Sequence, residues 1–422
     1  MERFLIKGFT SKGVRGQVSC SGAKNAVLPL MASSILFDDT ITLQNVPLGT
    51  NDVKTMIVLL KSLGSRVQII KKKKTLKIIN KKKHKLLVKY KYISTMRAGV
   101  LAMGALLGKY NKCITALSGG CSLGPRPIGY HLAGFKKLNC KYTLKKGYIN
   151  IIAKNGIKGG QYSFPKVSVT GTSNLIMASV LANGKTTLKN ISIEPEVLDL
   201  IKFLKDGGAK IYFLGKRTIK IYGVKKLKGH SHEVIGDRIE AFSYLCTAAI
   251  TKGKIKVDKI NSKYLETELK ILKNMGCNIK ASGYSIELSR KNKLKQTKIK
   301  TAPFPGFATD CMPMLMAVLT KSNGKSVIEE KIFTNRYMSA PELVRMGAKI
   351  NIKGSKATII GKDKLNGADC ISSDLRSTFA IILAAIAADG TSCVRRVYHG
   401  LRGYSNLYNN LKKIGVNIKR KS

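Results

Sequence analysis

The sequence contains no tryptophan and few aromatic residues, which make up 7% of its 422 positions. A surface that stacks single-stranded nucleic acid interleaves aromatic rings with basic residues, so this composition gives no evident stacking platform. Cysteine is also used sparingly, because the nine cysteines are odd in number and none forms a CxxC pair. That pattern argues against a disulfide framework and a zinc site, and it favours a reducing cytoplasm.

Long apolar runs and metal motifs are missing as well. The longest apolar run, Phe379 to Ala388, is too short to span a membrane, and the first eight residues lack the apolar core of a signal peptide. We therefore expect a cytoplasmic protein with no membrane insertion. His230 and His232 have no partner motif nearby, so we interpret them as surface histidines and expect no metal.

Acidic residues are scarce, since 23 of them face 76 basic residues and leave a net charge of +53. Such an excess often indicates nucleic-acid binding, but here lysines are spread along the whole chain. The densest run, Lys71 to Lys74, separates two strand-like segments and predicts a solvated hairpin tip. We interpret the charge mainly as compositional drift and keep a basic nucleic-acid-binding repeat protein as an alternative.

Arginine is rare among the basic residues, with 15 copies in all. In a chain that uses lysine wherever a point charge suffices, a remaining arginine marks a position where the planar guanidinium fork matters. This filter selects Arg97, Arg126, Arg238, Arg336, Arg376 and Arg402.

An internal repeat of about 70 residues fills the chain. The 44% hydrophobic content of the chain is enough for more than one domain. Each copy predicts a helix, a strand, a second helix and a hairpin. The second helix ends at a residue suited to a left-handed cap, with asparagine replacing glycine once; these residues are Gly64, Asn139, Gly208, Gly276, Gly347 and Gly415. The first helices are apolar all round, so we expect them to be buried inside the strands; they begin near Lys24, Arg97, Ser173, Arg238, Asp310 and Arg376.

Four of those first helices begin with a cation, although a helix N-terminus favours negative charge. The mismatch is explained if the N-termini converge on anionic ligands, where backbone N–H groups and cations would cooperate. Solvated first-turn cations are the alternative.

The loop Gly119–Pro127 holds the thiol of Cys121 among glycines, and Arg126 stands between two prolines. A cysteine in an electropositive, flexible loop is a candidate for chemistry, and the arginine suits a carboxylate or phosphate. An idle cysteine in a surface turn is the alternative.

Nine motifs in order along the chain resemble the UDP-N-acetylglucosamine 1-carboxyvinyltransferase family of the EPSP synthase superfamily: Ser21–Ala26, Thr95–Ala98, Gly119–Cys121, Arg126–Ile128, Asp237–Glu240, Phe307–Asp310, Asn335–Met338, Asp374–Arg376 and Arg402–Tyr404. The resemblance implies an α/β fold, a two-domain inside-out α/β barrel built from the six repeated units. One domain would span 22–235 and carry the Cys121 loop, and the other would combine 1–21 with 236–422.

The resemblance also implies a reaction, in which the enolpyruvyl group of phosphoenolpyruvate moves to the 3′-hydroxyl of UDP-N-acetylglucosamine and phosphate leaves. Cys121 would protonate the enol, Asp310 would take the hydroxyl proton, and Lys24, Arg126 and Arg402 would hold the phosphate and carboxylate. The implied substrate-binding residues are Lys24, Asn25, Arg97, Arg126, Pro127, Ile128, Gly129, Tyr130, Lys166, Val167, Ser168, Val169, Asp310, Ile332 and Arg376. No metal or organic cofactor is implied.

Three departures from the family pattern concern substrate contacts: Gly129 stands where an acidic residue is usual, Thr170 where glycine is common, and Leu401 where aspartate is frequent. The nearest alternative is the related transferase acting on shikimate 3-phosphate. That family lacks the loop thiol and carries a Ser-Lys-Ser motif in place of Ala23-Lys24-Asn25.

Overall fold

A computed structural model describes residues 2–9, 13–80, 83–117 and 128–421 of the chain. Three predicted site residues, Cys121, Arg126 and Pro127, lie outside the described residues. The described residues form two compact units. One falls within 22–235, and the other joins the segments before residue 22 to those from 236 onward.

Helices are distributed through both units, and each repeat contributes two main α-helices. Those among the described residues are α1 (Lys24–Ser33), α2 (Asn51–Leu63), α3 (Tyr90–Thr95), α4 (Ala102–Tyr110), α5 (Gly129–Lys137), α6 (Val169–Ser179), α7 (Pro195–Asp206), α8 (Arg238–Thr251), α9 (Glu266–Asn274), α10 (Met312–Leu319), α11 (Ala340–Arg345), α12 (Leu375–Ile386) and α13 (Leu407–Lys413). Short 3₁₀ helices span Ser34–Leu36, Arg97–Leu101, Ser262–Leu265, Thr309–Cys311 and Val397–Arg402.

The strands are short, mostly of five residues. In chain order they are β1 (Arg3–Lys7), β2 (Arg15–Ser19), β3 (Ile41–Gln44), β4 (Arg66–Ile70), β5 (Thr75–Ile79), β6 (Leu87–Val88), β7 (Lys112–Ala116), β8 (Lys141–Lys145), β9 (Tyr148–Ile152), β10 (Gln161–Ser163), β11 (Lys185–Lys189), β12 (Lys210–Gly215), β13 (Thr218–Tyr222), β14 (Ser231–Glu233), β15 (Lys254–Asp258), β16 (Asn278–Ser282), β17 (Ser285–Ser289), β18 (Lys298–Lys300), β19 (Lys325–Glu329), β20 (Lys349–Lys353), β21 (Lys356–Ile360), β22 (Asp369–Ile371), β23 (Thr391–Arg395) and β24 (Asn417–Lys421).

Six four-stranded sheets share one pattern, in which an edge strand runs parallel to its neighbour and two antiparallel strands follow. The unit within 22–235 contains the orders β14-β3-β5-β4, β6-β7-β9-β8 and β10-β11-β13-β12. The other unit contains β2-β15-β17-β16, β18-β19-β21-β20 and β22-β23-β1-β24. In the last sheet β1 occupies the place of the second hairpin strand, beside β24. The N-terminal strand therefore completes the sixth repeat.

The core of each unit consists of helices, with the sheets outside them. In one unit α1, α4 and α6 pack together, and in the other α8, α10 and α12 do so. Every residue of α12 from Arg376 to Ile386 is buried, and so is every residue of α8 from Arg238 to Ile250. This confirms the predicted inside-out α/β barrel of six repeats. The lysine run 71–74 forms an exposed turn between β4 and β5, as predicted.

Left-handed backbone at the six predicted cap positions confirms the repeat. The φ angles are positive at Gly64 (118°), Asn139 (66°), Gly208 (100°), Gly276 (98°), Gly347 (90°) and Gly415 (86°). Glycine reaches this region without a Cβ penalty, and asparagine tolerates it better than most residues.

Two boundaries differ from the sequence prediction. The first helix of the third repeat begins at Val169 instead of Ser173, because the Ser168 side chain accepts a hydrogen bond from Gly171 N (3.2 Å) and caps the helix earlier. The helices expected at Arg97 and Asp310 open as 3₁₀ turns before α4 and α10. Among the described residues, no helix is both long and apolar enough to cross a membrane.

Candidate active site

The carboxylate of Asp310 is held by two arginines from distant parts of the chain. Arg336 Nη2 donates to Oδ1 (2.8 Å), while Arg376 donates to Oδ2 through Nη2 (3.0 Å) and Nε (3.2 Å). The arginine side chains are 1% and 3% exposed, whereas that of Asp310 is 28% exposed. The site therefore has buried cations behind a carboxylate that solvent or a ligand can reach.

Arg376 owes its position to the start of α12. Asp374 caps the helix by accepting from Arg376 N (2.8 Å) and Ser377 N (3.2 Å). The Tyr404 ring lies 5.5 Å from the guanidinium carbon. Burial lowers the pKa of Arg376, but Asp310, Tyr404 and Asp237 together outweigh burial, so the pKa is raised overall and the side chain stays charged.

Arg336 is fixed by the loop that precedes α11. Its Nε donates to the carbonyl of Thr309 (3.0 Å), so the same guanidinium holds both the backbone and the carboxylate of the Asp310 turn. Glu330 accepts from Ile332 N (2.7 Å) and from Thr309 Oγ1 (3.0 Å), which ties the predicted residue Ile332 to this turn. Arg336 was absent from the predicted site residues, although the scarcity of arginine had already singled it out.

Arg402 ends the 3₁₀ helix Val397–Arg402, which packs on the first turns of α12. A Cβ at Gly403 would lie 2.8 Å from Leu375, and one at Gly400 would lie 2.8 Å from Thr378. The absence of a side chain at both glycines thus allows the segment bearing half-buried Arg402 to pack against the same helix end as Arg376.

Three of the four cations at the starts of the first helices are buried. Lys24, Arg238 and Arg376 are 9%, 6% and 2% exposed, and Arg97 is half-buried. Lys24 Nζ forms an ion pair with Asp52 Oδ2 (3.2 Å), itself buried. For Lys24, Arg238 and Arg376 the alternative of solvated first-turn cations is therefore wrong, and burying these charges costs free energy. Asn25, next to Lys24, is half-buried.

A buried histidine connects the predicted segments 128–130 and 166–169. His131 lies in the first turn of α5, beside Gly129 and Tyr130, and its Nε2 is 3.3 Å from Thr170 Oγ1 at the start of α6. Its Nδ1 accepts from Asn174 Nδ2 (2.8 Å). Burial and the nearby charge of Arg97 lower the pKa of His131 to about 3, so the ring is neutral. The structure thus brings these two segments and Arg97 to one region of the unit.

The remaining predicted residues of these segments differ in exposure. Ile128 is buried, Val167 and Ser168 are half-buried, and Lys166 and Val169 are exposed. Gly129 is exposed, and a Cβ there would have no heavy atom within 4 Å. The missing acidic side chain at position 129 is thus not excluded by its surroundings.

All cysteines among the described residues are buried and in the thiol form. Burial raises the pKa of each of them, namely Cys20, Cys113, Cys140, Cys246, Cys277, Cys311, Cys370 and Cys393. Because the thiolate is the nucleophile, these eight are poor candidates for chemistry. The ninth, Cys121, lies outside the described residues.

Residues 10–411 match the family model EPSP synthase (3-phosphoshikimate 1-carboxyvinyltransferase). The chain therefore belongs to the EPSP synthase family. Within it, the chain is 45% identical over 415 residues to the UDP-N-acetylglucosamine 1-carboxyvinyltransferase of Pelagibacter ubique (strain HTCC1062), covering 98% of this chain and 99% of the relative. It is 43% identical over 407 residues to the enzyme of the same name from Campylobacter jejuni (strain RM1221), covering 96% of each.

Solved structures share the fold at lower identity. The enolpyruvyl transferase NikO from Streptomyces tendae superposes with a TM-score of 0.89 at 19% identity, covering 100% of this chain and 99% of that one. EPSP synthase from Acinetobacter baumannii gives a TM-score of 0.77 at 19% identity and covers 100% of both chains. These similarities establish the architecture independently of the sequence motifs.

Proposed function

We propose that the chain transfers the enolpyruvyl group of phosphoenolpyruvate to the 3′-hydroxyl of UDP-N-acetylglucosamine with release of phosphate, the first committed step of peptidoglycan synthesis. The observation that carries the proposal is the 45% identity, across 98% of this chain, to a relative named for that reaction. The related shikimate 3-phosphate transferase is not favoured, because the relatives that match this chain at 40–45% identity over nearly its full length are named for the sugar-nucleotide reaction.

The proposed chemistry is an addition followed by an elimination. In the addition, the 3′-hydroxyl oxygen bonds to C2 of phosphoenolpyruvate while Asp310 takes the hydroxyl proton. Cys121 gives a proton to C3. The elimination removes a proton from C3 and breaks the bond between C2 and the phosphate oxygen. The partial exposure of the Asp310 carboxylate and its attachment to Arg336 and Arg376 support this role, because a general base must be both accessible and fixed.

The anionic groups of phosphoenolpyruvate are proposed to bind Lys24, Arg126 and Arg402. The buried pair of Lys24 with Asp52 supports this, since it keeps the ammonium at the N-terminus of α1, where backbone N–H groups also attract anions. UDP-N-acetylglucosamine is proposed to contact Asn25, Arg97, Arg126–Tyr130, Lys166–Val169, Asp310, Ile332 and Arg376. We assign the two units to domains 22–235 and 1–21 plus 236–422, and the protein to the cytoplasm, where thiols stay reduced.

Phosphate release separates the candidate functions. The full chain is incubated with phosphoenolpyruvate and UDP-N-acetylglucosamine, shikimate 3-phosphate or no acceptor. We expect release only with the sugar nucleotide, and loss of release in Cys121→Ser. Release with shikimate 3-phosphate alone would overturn the proposal. Absence of turnover together with salt-sensitive binding of oligonucleotides would favour the nucleic-acid alternative.

Alkylation by fosfomycin, an epoxide that reacts with the corresponding thiol in this family, tests Cys121 directly. We expect intact-mass spectrometry to show one adduct per chain, because burial raises the pKa of the other eight thiols. Cys121→Ser should abolish the adduct, and the matched control Cys393→Ser should retain it. Adducts spread over several cysteines would contradict the assignment.

A further inference from the structure

Asp206, His230 and His232 form a cluster that the proposed reaction does not use. Asp206 ends α7, His230 directly precedes β14, and His232 lies within β14. One ligand atom from each side chain lies within 4.8 Å of the others. His232 is 6% exposed, so its interpretation as a surface histidine is wrong. The sequence could not indicate the cluster, since the carboxylate lies on a different element.

Each imidazole has one nitrogen held by an acceptor and the other directed to the cluster. His232 Nε2 lies 2.9 Å from Asp199 Oδ1, and His230 Nδ1 lies 3.3 Å from the carbonyl oxygen of Lys228. The acceptors fix the ring protons on those nitrogens, which leaves the opposite nitrogens with free lone pairs. Metal-binding histidines are held in the same way by carboxylates or carbonyls behind them.

Each of the two nitrogens that face the cluster lacks a hydrogen-bond partner among the described residues. His230 Nε2 is buried and has no hydrogen-bond partner among the described residues. His232 Nδ1 faces Asp206 Oδ2 at 4.0 Å, beyond hydrogen-bond length. Both observations indicate a gap between ligand atoms that a small cation would close.

The rings are positioned by packing against one aromatic side chain of the same helix as Asp206. Phe203 lies 4.8 Å from the His230 ring and meets the His232 ring edge-on at 5.4 Å, measured between centroids. A cation beside Asp206 would also lie at the C-terminus of α7, where the helix dipole favours positive charge.

We propose that Asp206, His230 and His232 bind a Zn²⁺ ion, with the fourth position open to water. Two imidazoles and a carboxylate are ligands that zinc prefers, with bonds of about 2.0–2.2 Å. Small side-chain rotations would bring the three atoms to that distance. Lys202 Nζ now pairs with Asp206 Oδ2 at 2.5 Å, and its side chain, 67% exposed, is free to leave when the ion enters.

Such an ion would link α7 to β14, the strand that completes the sheet of β3, β4 and β5. Ser231 and His232 pair there with Thr42 and Leu43. Because the site requires the folded arrangement of two elements, metal binding would stabilise the native state. The ion would therefore stabilise the fold, and its three ligands lie outside the residues proposed for catalysis.

Zinc titration of the full chain tests the proposal, using isothermal calorimetry in a Cys121→Ser background that removes the one thiol not shown to be buried. We expect one equivalent of Zn²⁺ and a higher apparent Tm. Asp206→Asn, which keeps the side-chain shape, should weaken binding at least tenfold and remove the rise in Tm. Lys202→Gln should strengthen binding, because it removes the competing ammonium, whereas the neighbouring control Lys205→Gln should not.

Two outcomes would overturn the proposal: no zinc binding by the folded protein, or binding that Asp206→Asn and Lys202→Gln leave unchanged. His230→Ala should also lose zinc binding, and His399→Ala serves as its control. His230→Ala also removes packing on Phe203, so the Tm of this variant is measured without metal as well. If His230→Ala does not fold, the Asp206 and Lys202 variants decide the result.

Discussion

Asp310 combines charge and accessibility in one side chain. Its carboxylate is bound by Arg336 and Arg376, whose side chains are almost fully buried. We expect Asp310→Asn to lower kcat for phosphate release about 10²- to 10⁴-fold, the usual contribution of a general base. Steady-state assays with UDP-N-acetylglucosamine measure the effect.

Asp310→Asn also leaves the buried guanidinium groups of Arg336 and Arg376 without this counter-charge. The loss of one partner from a buried ion pair destabilises a folded protein by about 3–5 kcal/mol. Asp310→Glu is the matched control, because it keeps the charge but moves the oxygens. We expect it to restore most of the stability in urea unfolding while kcat stays low. Full activity in Asp310→Asn would exclude the proposed role.

Glu240 gives a pH-dependent prediction. Burial, followed by the charge of Asp237, raises the pKa of Glu240 from 4.5 to about 7, while Ser21 N donates to its Oε2 at 2.8 Å. Since the folded pKa exceeds the unfolded one, its contribution is most favourable below pH 4.5 and is lost as pH rises to about 7. The loss amounts to about 3 kcal/mol in the free energy of unfolding.

Urea unfolding at a series of pH values checks this. Glu240→Gln keeps an acceptor for Ser21 and should flatten the dependence between pH 4.5 and 7. Glu287→Gln, on a half-buried strand position, is the control and should not. An unchanged pH profile in Glu240→Gln would refute the prediction.

At the residue scale, the sequence singled out individual side chains but could not indicate which of them meet. Scarcity of arginine selected Arg336 and Arg376, but their shared contact with Asp310 spans 26 and 66 positions, respectively. No local pattern encodes such a contact. His232 was misjudged for the same reason, because Asp199 and Asp206 belong to another element.

At the scale of elements, each repeat has a left-handed backbone conformation at the end of its second helix. Gly415 has a φ of 86°, and a Cβ there would have no heavy atom within 4 Å. Gly415→Ala therefore isolates the backbone strain, and we expect it to lower the free energy of unfolding by about 1–2 kcal/mol. Gly415→Asn should cost less, since Asn139 occupies the equivalent position with a φ of 66°.

Gly215→Ala is the matched control for that experiment. Its Cβ would also have no heavy atom within 4 Å, but its φ is not positive. We expect a change close to zero in urea unfolding. Equal losses at Gly415 and Gly215 would show that the φ angle is not the cause.

Most of the elements that the sequence missed are too short to show a period. The parallel edge strands, such as β10 and β14, have three residues, so neither alternation nor a helical period is visible in them. The longer helices and hairpins were predictable because each carries a full period and a cap. The earlier start of α6 depends on the single cap from Ser168.

At the scale of the whole molecule, the repeat explains why an N-terminal strand completes the last sheet. β1 lies between β23 and β24, in the place that the second hairpin strand takes in the other sheets. The spacing of caps predicted six units, but it could not indicate which strand completes each sheet, because pairing between β1 and β24 joins opposite ends of the chain. The long-range closure is thus a property of the fold and not of any one repeat.

The net charge of +53 predicts an unusual response to salt. The 76 basic residues far outnumber the 23 acidic ones. Self-repulsion then opposes the compact state, and salt shortens its range from about 30 Å at 0.01 M to about 3 Å at 1 M. We expect the apparent Tm to rise by roughly 1–5 °C as NaCl increases from 0.01 to 0.5 M.

A triple variant at an exposed turn tests whether lysine repulsion is the cause of that rise. Lys71, Lys72 and Lys73 form an exposed hairpin tip, while Lys74 has a φ of 47° and is left unchanged. Replacing the three by glutamine should raise the Tm at low salt and reduce its salt dependence. The salts compared are NaCl and KCl at equal ionic strength, which should act alike if screening is the cause. Sulfate salts are avoided because sulfate would also bind at anion sites. A Tm that falls with salt would show that the ion pairs stabilise the fold more than the lysine excess destabilises it.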